Sequence, residues 1–486
     1  MAPNLILLSF FAYTLLLFIV GWLTSRKATN ESFFIGNKSS PWYLVAYGMV
    51  GASLSGVTFI SIPGVVSTTK FSYMVIVFGY LVGYFVIANV LLPIYYRLNL
   101  TSIYSFLLGR FGMYSYKTGA AFFLLSRIIG ASFRMFLVIS VLQYFVLDSY
   151  DVPFLISVIV FVGIILLYTW KGGIKTIVWT DTLQTTFMLA AVVIVLFLIS
   201  SQLGKTVGEL YSSIREAQYT QMFFFDWRDK YFFVKQFVSG AFIAIVMTGL
   251  DQDMMQKNLS CKNLPEAKKN MYWMSWALVP VNFLFLIMGA FLAFYAQQKG
   301  IVYSGTSDNL FPTIALNHMG IFAGIVFVIG LIAAAYSSAD SALTALTTSF
   351  TLDILGIERK PNLSKEKKTK IRKMSHLGMA IVMILVIVGY NLINDQAIIT
   401  KLFTIAGYTY GPLLGLFSFG IFVKRSVKDG WVPFIAVLSP ILSYFIQFYA
   451  PQLLNGYQFG FELLIINGLL MFFGLMLVSE PKNKLA

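Results

Sequence analysis

The sequence predicts an all-α integral membrane protein, and three observations carry that prediction. Hydrophobic residues make up 58% of the chain and charged residues only 11%, with a mean hydropathy of +0.78, far from the usage of a soluble domain. Apolar runs of about 18 to 25 residues recur from end to end, each long enough to cross a hydrocarbon core of about 30 Å as a helix. No segment reads as a series of alternating strands, which argues against a transmembrane β-barrel.

The first run, Leu5 to Leu23, is too long for a signal-peptide core, lacks a basic leader and ends in Arg26 and Lys27, a stop-transfer pattern. It gives a span at about 4–24. Further spans follow at about 42–66, 72–96, 118–147, 153–170, 175–201, 233–256, 271–297, 310–353, 374–393, 398–423, 430–450 and 459–479, about 13 helices in all. The stretch 310–353 is too long for one span, so its first part is expected to form a re-entrant or surface helix. Loops at 25–41, 97–117, 171–175, 257–270, 358–373 and 424–429, with the C-terminal tail, hold about 25 of the 35 Lys and Arg, against about 8 on the other side. The positive-inside rule then puts the N-terminus outside and the C-terminus inside. The densest run, ERKPNLSKEKKTKIRK (358–373), reads as an inner anchor beside anionic headgroups, a lipid contact rather than a nucleic-acid one.

Several chemistries drop out early. Cys261 is the only cysteine, which excludes a disulfide framework and a thiolate metal cluster. His318 and His376 stand far apart near helix ends, with no HExxH and no paired carboxylate, and both read as interfacial rather than catalytic. No Gly-rich phosphate cradle with its Lys is present, so an ATP motor within this chain is not expected. An ion gradient or passive passage remains as the source of energy.

The polar residues inside the apolar spans are the candidate site. In LIAAAYSSADSALTALTTSFTLDI (331–354), Ala334, Ser337, Ser338 and Ser341 fall at i, i+3, i+4 and i+7 on one helix face, with Asp340 on its flank. Ser and Ala can simply let helices pack closely, but a carboxylate at bilayer depth favours a binding role. In AYGMVGASLSGVT (46–58), Gly48, Gly51 and Gly56 lower helical preference and expose carbonyls; Gly48, Ala52 and Gly56 equally form a close-packing stripe. The span 233–256 carries Ser239-Gly240 and then Thr248-Gly249 before Asp251, so one weak helix opens a group of five spans and another opens the next five. Hydroxyls and freed carbonyls of this kind suit a hard monovalent cation. Asp181, in IVWTDTLQTTF, adds a carboxylate, or is a helix-end residue facing water. Arg127 and Arg134 are seven apart on one face; Arg127 can snorkel, whereas the deeper Arg134 needs a buried acid or an anionic substrate. Tyr73 and Tyr80, also seven apart, line a cavity or serve packing.

Five stretches in this order and spacing, GASLSGVTFISIPG (51–64), WTDTLQT (179–185), GLDQDMMQK (249–257), SSADSALTALTTSFTLDI (337–354) and GYTYGPLLGLF (407–417) with Lys424 and Arg425 after it, resemble the sodium:solute symporter family. The resemblance covers nearly the whole chain. It implies a leucine-transporter-type fold of five-helix inverted repeats at 42–201 and 233–423, with an extra helix at 4–24 and two more at 430–479, in one transporter domain of a bacterial plasma membrane. It implies sodium as the coupling ion, uptake of a small polar solute by alternating access, no enzymatic activity and no obligatory protein partner. The main sodium site would use backbone carbonyls of Gly51, Leu54 and Ala334 and hydroxyls of Ser337 and Ser338. A second site, present in some members, resembles Asp181, Ser337, Ser341 and the position held here by Asp340; that carboxylate is a departure which would tighten sodium or exchange a proton. Solute-facing positions would be Ser53, Ser55, Thr58, Tyr73, Arg134, Met247 near the inner gate, and Thr404. The apolar stretch Met74 to Phe78 argues against a sugar. Arg134 resembles the arginine with which sialic-acid carriers of the family hold a carboxylate, so a carboxylated solute is expected ahead of a sugar, proline or another monocarboxylate. An ion channel or a transporter-derived sensor fits less well.

Overall fold

A computed structural model describes residues 3–26, 29–303, 305–392 and 398–481. Lys27 and the end of the C-terminal tail lie outside the described residues. The chain folds as helices because apolar spans must satisfy their backbone polar groups internally. In order these are α1 (Pro3–Ser25), α2 (Trp42–Leu54), α3 (Gly56–Thr69), α4 (Tyr73–Arg97), α5 (Met113–Phe145), α6 (Phe154–Gly172) and α7 (Ile174–Gln202). There follow α8 (Phe233–Gly249), α9 (Gln252–Leu259), α10 (Leu264–Lys299), α11 (Gly320–Ser349), α12 (Lys365–Tyr390), α13 (Ile398–Phe422), α14 (Val432–Leu453) and α15 (Leu463–Leu477). Two three-residue strands, β1 (Arg425–Val427) and β2 (Ser479–Pro481), pair antiparallel and tie the end of α13 to the end of α15.

Among the described residues ten helices are long and apolar enough to cross a membrane, and two further spans are bent pairs: α2 with α3 at 52°, and α8 with α9 at 65°. Each bend has a local cause. Ser55 has non-helical backbone angles (φ 17°, ψ 171°), so carbonyls in the last turn of α2 lose their helical partners. Asp251 is extended, and its side chain accepts the Asp253 N–H at 2.9 Å, capping α9 after a π-turn over Ile245–Gly249. The second break therefore falls at Leu250 and Asp251, not at Ser239-Gly240. Gly240 serves a close approach instead: a Cβ there would lie 2.1 Å from the Ile76 carbonyl oxygen, and one on Gly79 would lie 2.1 Å from that of Phe237, so α4 and α8 touch backbone to backbone. Both readings of the glycine-rich stretch hold, at different residues. The helix breaks at Ser55, while at Gly48, in the close-packing stripe, a Cβ would lie 2.8 Å from the Asp181 Cβ of α7.

The centre of the bundle is α11, buried without interruption from Gly330 to Ser349, as a helix surrounded on all sides must be. A separate helical turn, Leu310–His318, precedes it and buries Leu310, Phe311 and Ile314 before Gly320 turns the chain at φ +80°. Large apolar side chains such as Phe11, Trp22, Phe85, Phe197, Trp273 and Phe434 point outward, the surface a lipid contact requires. His376 is not interfacial. It is buried between the hydroxyls of Thr169 (2.9 Å) and Thr347 (2.7 Å), where it links α12 to α6 and α11.

Candidate ion and solute site

A cavity opens between α2, α3, α4, α5, α8 and α10. Ser53, Ser55, Thr58, Tyr73, Arg134 and Met247 all line it, so residues far apart in sequence converge on one space. Tyr80 lines it too, its hydroxyl 3.1 Å from that of Tyr73. Thr404 does not belong to this wall. It lines a separate cavity with Lys230, Gln236 and Gly407, whereas Ile405, Ala406 and Tyr410 of α13 line a small cavity beside Arg134. Tyr84, Thr248 and Asn282 also face the central cavity. Asn282 had a readable signal, an amide inside the apolar span 271–297; Thr248 stood out only as part of the weak Thr248-Gly249 dipeptide, and Tyr84 had nothing that set it apart from packing residues.

The two arginines of α5 have different surroundings. Arg127 does not snorkel: it is buried, forms an ion pair with Asp253 and lies 3.7 Å from Asp251. Asp251 also accepts the Tyr410 hydroxyl at 2.5 Å. Arg134 is 8% exposed at the cavity wall, pairs with no carboxylate among the described residues, and leaves its Nε without an acceptor. The hydroxyl of Ser53 faces the same cavity beside Tyr84, and among the described residues it makes no hydrogen bond of ordinary geometry. A desolvated guanidinium without a counter-ion is costly, and buried polar atoms are almost always bonded. Both atoms suit a polar, anionic ligand.

Beneath this wall, the broken end of α2 meets α11. Gly51 and Leu54 belong to the last turn of α2, whose carbonyls the break at Ser55 frees, and a Cβ on Gly56 would lie 3.8 Å from the Ala335 backbone. Ala334, Ser337 and Ser338 follow on the same stretch of α11. Ser337 Oγ donates to Asp181 Oδ1 at 2.9 Å and Ser338 Oγ to the Ala335 carbonyl at 3.1 Å. With both protons engaged, the hydroxyl oxygens keep lone pairs for a cation. This donor set of neutral oxygens is of the kind that takes a hard monovalent ion without binding it too tightly.

A second polar cluster adjoins it. Asp181 is 1% exposed, so it does not face water, and Asp340 is 0% exposed. Lys257 of α9, also fully buried, places its Nζ 2.7 Å from Asp181 Oδ2. Asp340 Oδ2 accepts from Tyr168 at 2.8 Å and Thr180 at 3.5 Å; its Oδ1 accepts the Ser341 N–H at 2.5 Å and the Ser341 hydroxyl at 3.2 Å. Asp181, Ser337, Asp340 and Ser341 are thus together, as the sequence suggested. Lys257 was missed because a lysine at the end of a span reads as a loop charge.

The model of the sodium:solute symporter family matches residues 33–433. The chain belongs to that family. Among curated relatives, this symporter is 26% identical to the sodium/sialic acid symporter SiaT of Proteus mirabilis, over 86% of this chain and 84% of that one. It is 26% identical to sodium-coupled monocarboxylate transporter 2 of Danio rerio, over 82% of this chain and 63% of that one. The solved structure of a Na+-coupled sialic acid symporter in a substrate-bound outward-open state superposes with a TM-score of 0.83 at 22% identity, covering 98% of both chains. The fold is therefore the leucine-transporter type. As a sodium:solute symporter the protein is a multi-pass membrane carrier rather than an enzyme, and it moves a small solute together with sodium by alternating access.

Proposed function

We propose that this symporter takes up a carboxylated small molecule, with the carboxylate held by Arg134 and the polar remainder by Ser53, Ser55, Thr58 and the Tyr73–Tyr80 pair. One observation carries the reading: among the described residues Arg134 is a cavity-wall guanidinium with no acid partner, while Arg127, two turns away, has two acids nearby. A planar guanidinium presents the fork that a carboxylate fits in bidentate fashion. The relatives named for sialic acid and for monocarboxylates share that one group, and a sialic acid is the favoured member of the class.

In the mechanism, the inverted repeats at 42–201 and 233–423 move against each other in a bacterial plasma membrane, N-terminus outside and C-terminus inside. Sodium held by the carbonyls of Gly51, Leu54 and Ala334 and the hydroxyls of Ser337 and Ser338 would join the broken α2 to α11 and favour the outward-open state. Loss of the ion to a low-sodium interior would loosen the same contact. The ion can drive uptake only by as much as it binds one state better than the other. Lipids are the only further partner the reading requires.

The test is uptake into proteoliposomes with inward sodium or potassium gradients. Uptake of a sialic acid or a monocarboxylate is expected with sodium alone, and the methyl ester of the same acid is expected to be refused. Equal uptake of acid and ester would overturn the carboxylate assignment.

A further inference from the structure

We infer that the Lys257 ammonium fills the place a second coupling ion would take, so that this symporter carries one sodium per solute. The inference rests on the reading of Gly51, Leu54, Ala334, Ser337 and Ser338 as a sodium site, and concerns the cluster next to it.

Asp181, Ser337, Asp340 and Ser341 are the oxygens with which a second cation could be held; Asp181 Oδ1 and both Asp340 oxygens accept hydrogen bonds, and the remaining oxygen, Asp181 Oδ2, is in ion-pair contact with Lys257. Asp181 Oδ1 accepts from Ser337 and Oδ2 faces Lys257 Nζ at 2.7 Å. Asp340 Oδ2 accepts from Tyr168 and Thr180, and Oδ1 from Ser341. The Lys257 ammonium therefore stands against the Asp181 carboxylate where a second cation would need to sit. An ammonium is itself a hard, compact, monovalent cation with hydrogen-bond donors, and supplies the charge a carboxylate at this depth demands. It differs from sodium in one respect that matters for transport: it is tethered to the backbone and cannot leave.

The tether is firm. Lys257 is 1% exposed on α9, whose neighbouring Gln256 donates to the Thr348 hydroxyl of α11 at 2.9 Å. The Ser337 hydroxyl gives its proton to Asp181, which polarises its oxygen as a ligand at the main site.

The test counts radioactive sodium bound to purified protein at equilibrium. One ion per chain is expected; two would overturn the inference, whereas none would instead remove the sodium reading on which it rests. Lys257→Ala, which leaves both carboxylates without the ammonium, should bind two, and the dependence of its Tm on the logarithm of sodium concentration should steepen about twofold. Lys257→Arg, which keeps a tethered cation, should stay at one. Should the alanine variant fail to fold, the wild-type and arginine counts decide, and a second ion in either refutes the assignment.

Discussion

Arg127 and Arg134 are the same residue type on the same face of the same helix, yet they respond to opposite demands. Arg127 neutralises Asp253 and faces Asp251 in a buried setting, so Arg127→Ala would strand acids there and cost about 3–5 kcal/mol of stability. Arg134 pairs with no carboxylate among the described residues, and its Nε lacks an acceptor. Arg134→Ala should leave the thermal unfolding midpoint within a few degrees of wild type while raising the Kd for a carboxylated solute roughly 10- to 100-fold, the worth of a charge-assisted contact. Calorimetric titration beside thermal unfolding separates the two effects; an unaltered Kd would make Arg134 structural. The spacing of the pair was legible in the sequence. Which arginine has an acid was not, because Asp253 lies 126 residues further on and only the fold brings it beneath α5. Lys257 was hidden for the same reason, since Asp181 stands on another helix.

Helices are where the sequence was most readable, and the exceptions are instructive. Hydropathy set out the spans, and crowded glycines with small polar residues marked α2 as weak. Two weak dipeptides in α8 competed, and the capping carboxylate of Asp251 separated them: an acid followed by helix is a start signal, and there the chain begins α9. Gly240 is left with a packing duty. Gly240→Ala would set a methyl carbon against a backbone carbonyl that cannot turn aside, so a loss of about 1–3 kcal/mol is expected, read as a lower Tm. Gly163→Ala on α6, with nothing within 4 Å of the new carbon, is the control and should not lower Tm. Equal effects at the two positions would show that the α4–α8 crossing yields more easily than its geometry implies.

Over the whole molecule, periodicity disclosed a polar face on α11 and a fragile α2 but not that they meet, and family resemblance supplied the sodium. The surplus of basic loops set an expected orientation, yet the same reasoning counted buried cations as surface ones. Thr404 shows the limit from the other side: a polar residue on the right helix, one position away from those that approach Arg134. One feature joins distant parts of the chain. The carboxylate of Asp251 caps α9, accepts the Tyr410 hydroxyl of α13 and faces Arg127 of α5. It is the keystone of an arch under the solute, and an arch does not open stone by stone. A passage inward past it should be all-or-none, with the three helices parting in one event. Tyr410→Phe removes one support, so single-molecule distance traces between α5 and α13 should show more frequent visits to the same open state as wild type. A continuous drift in that distance would mean the three contacts yield independently.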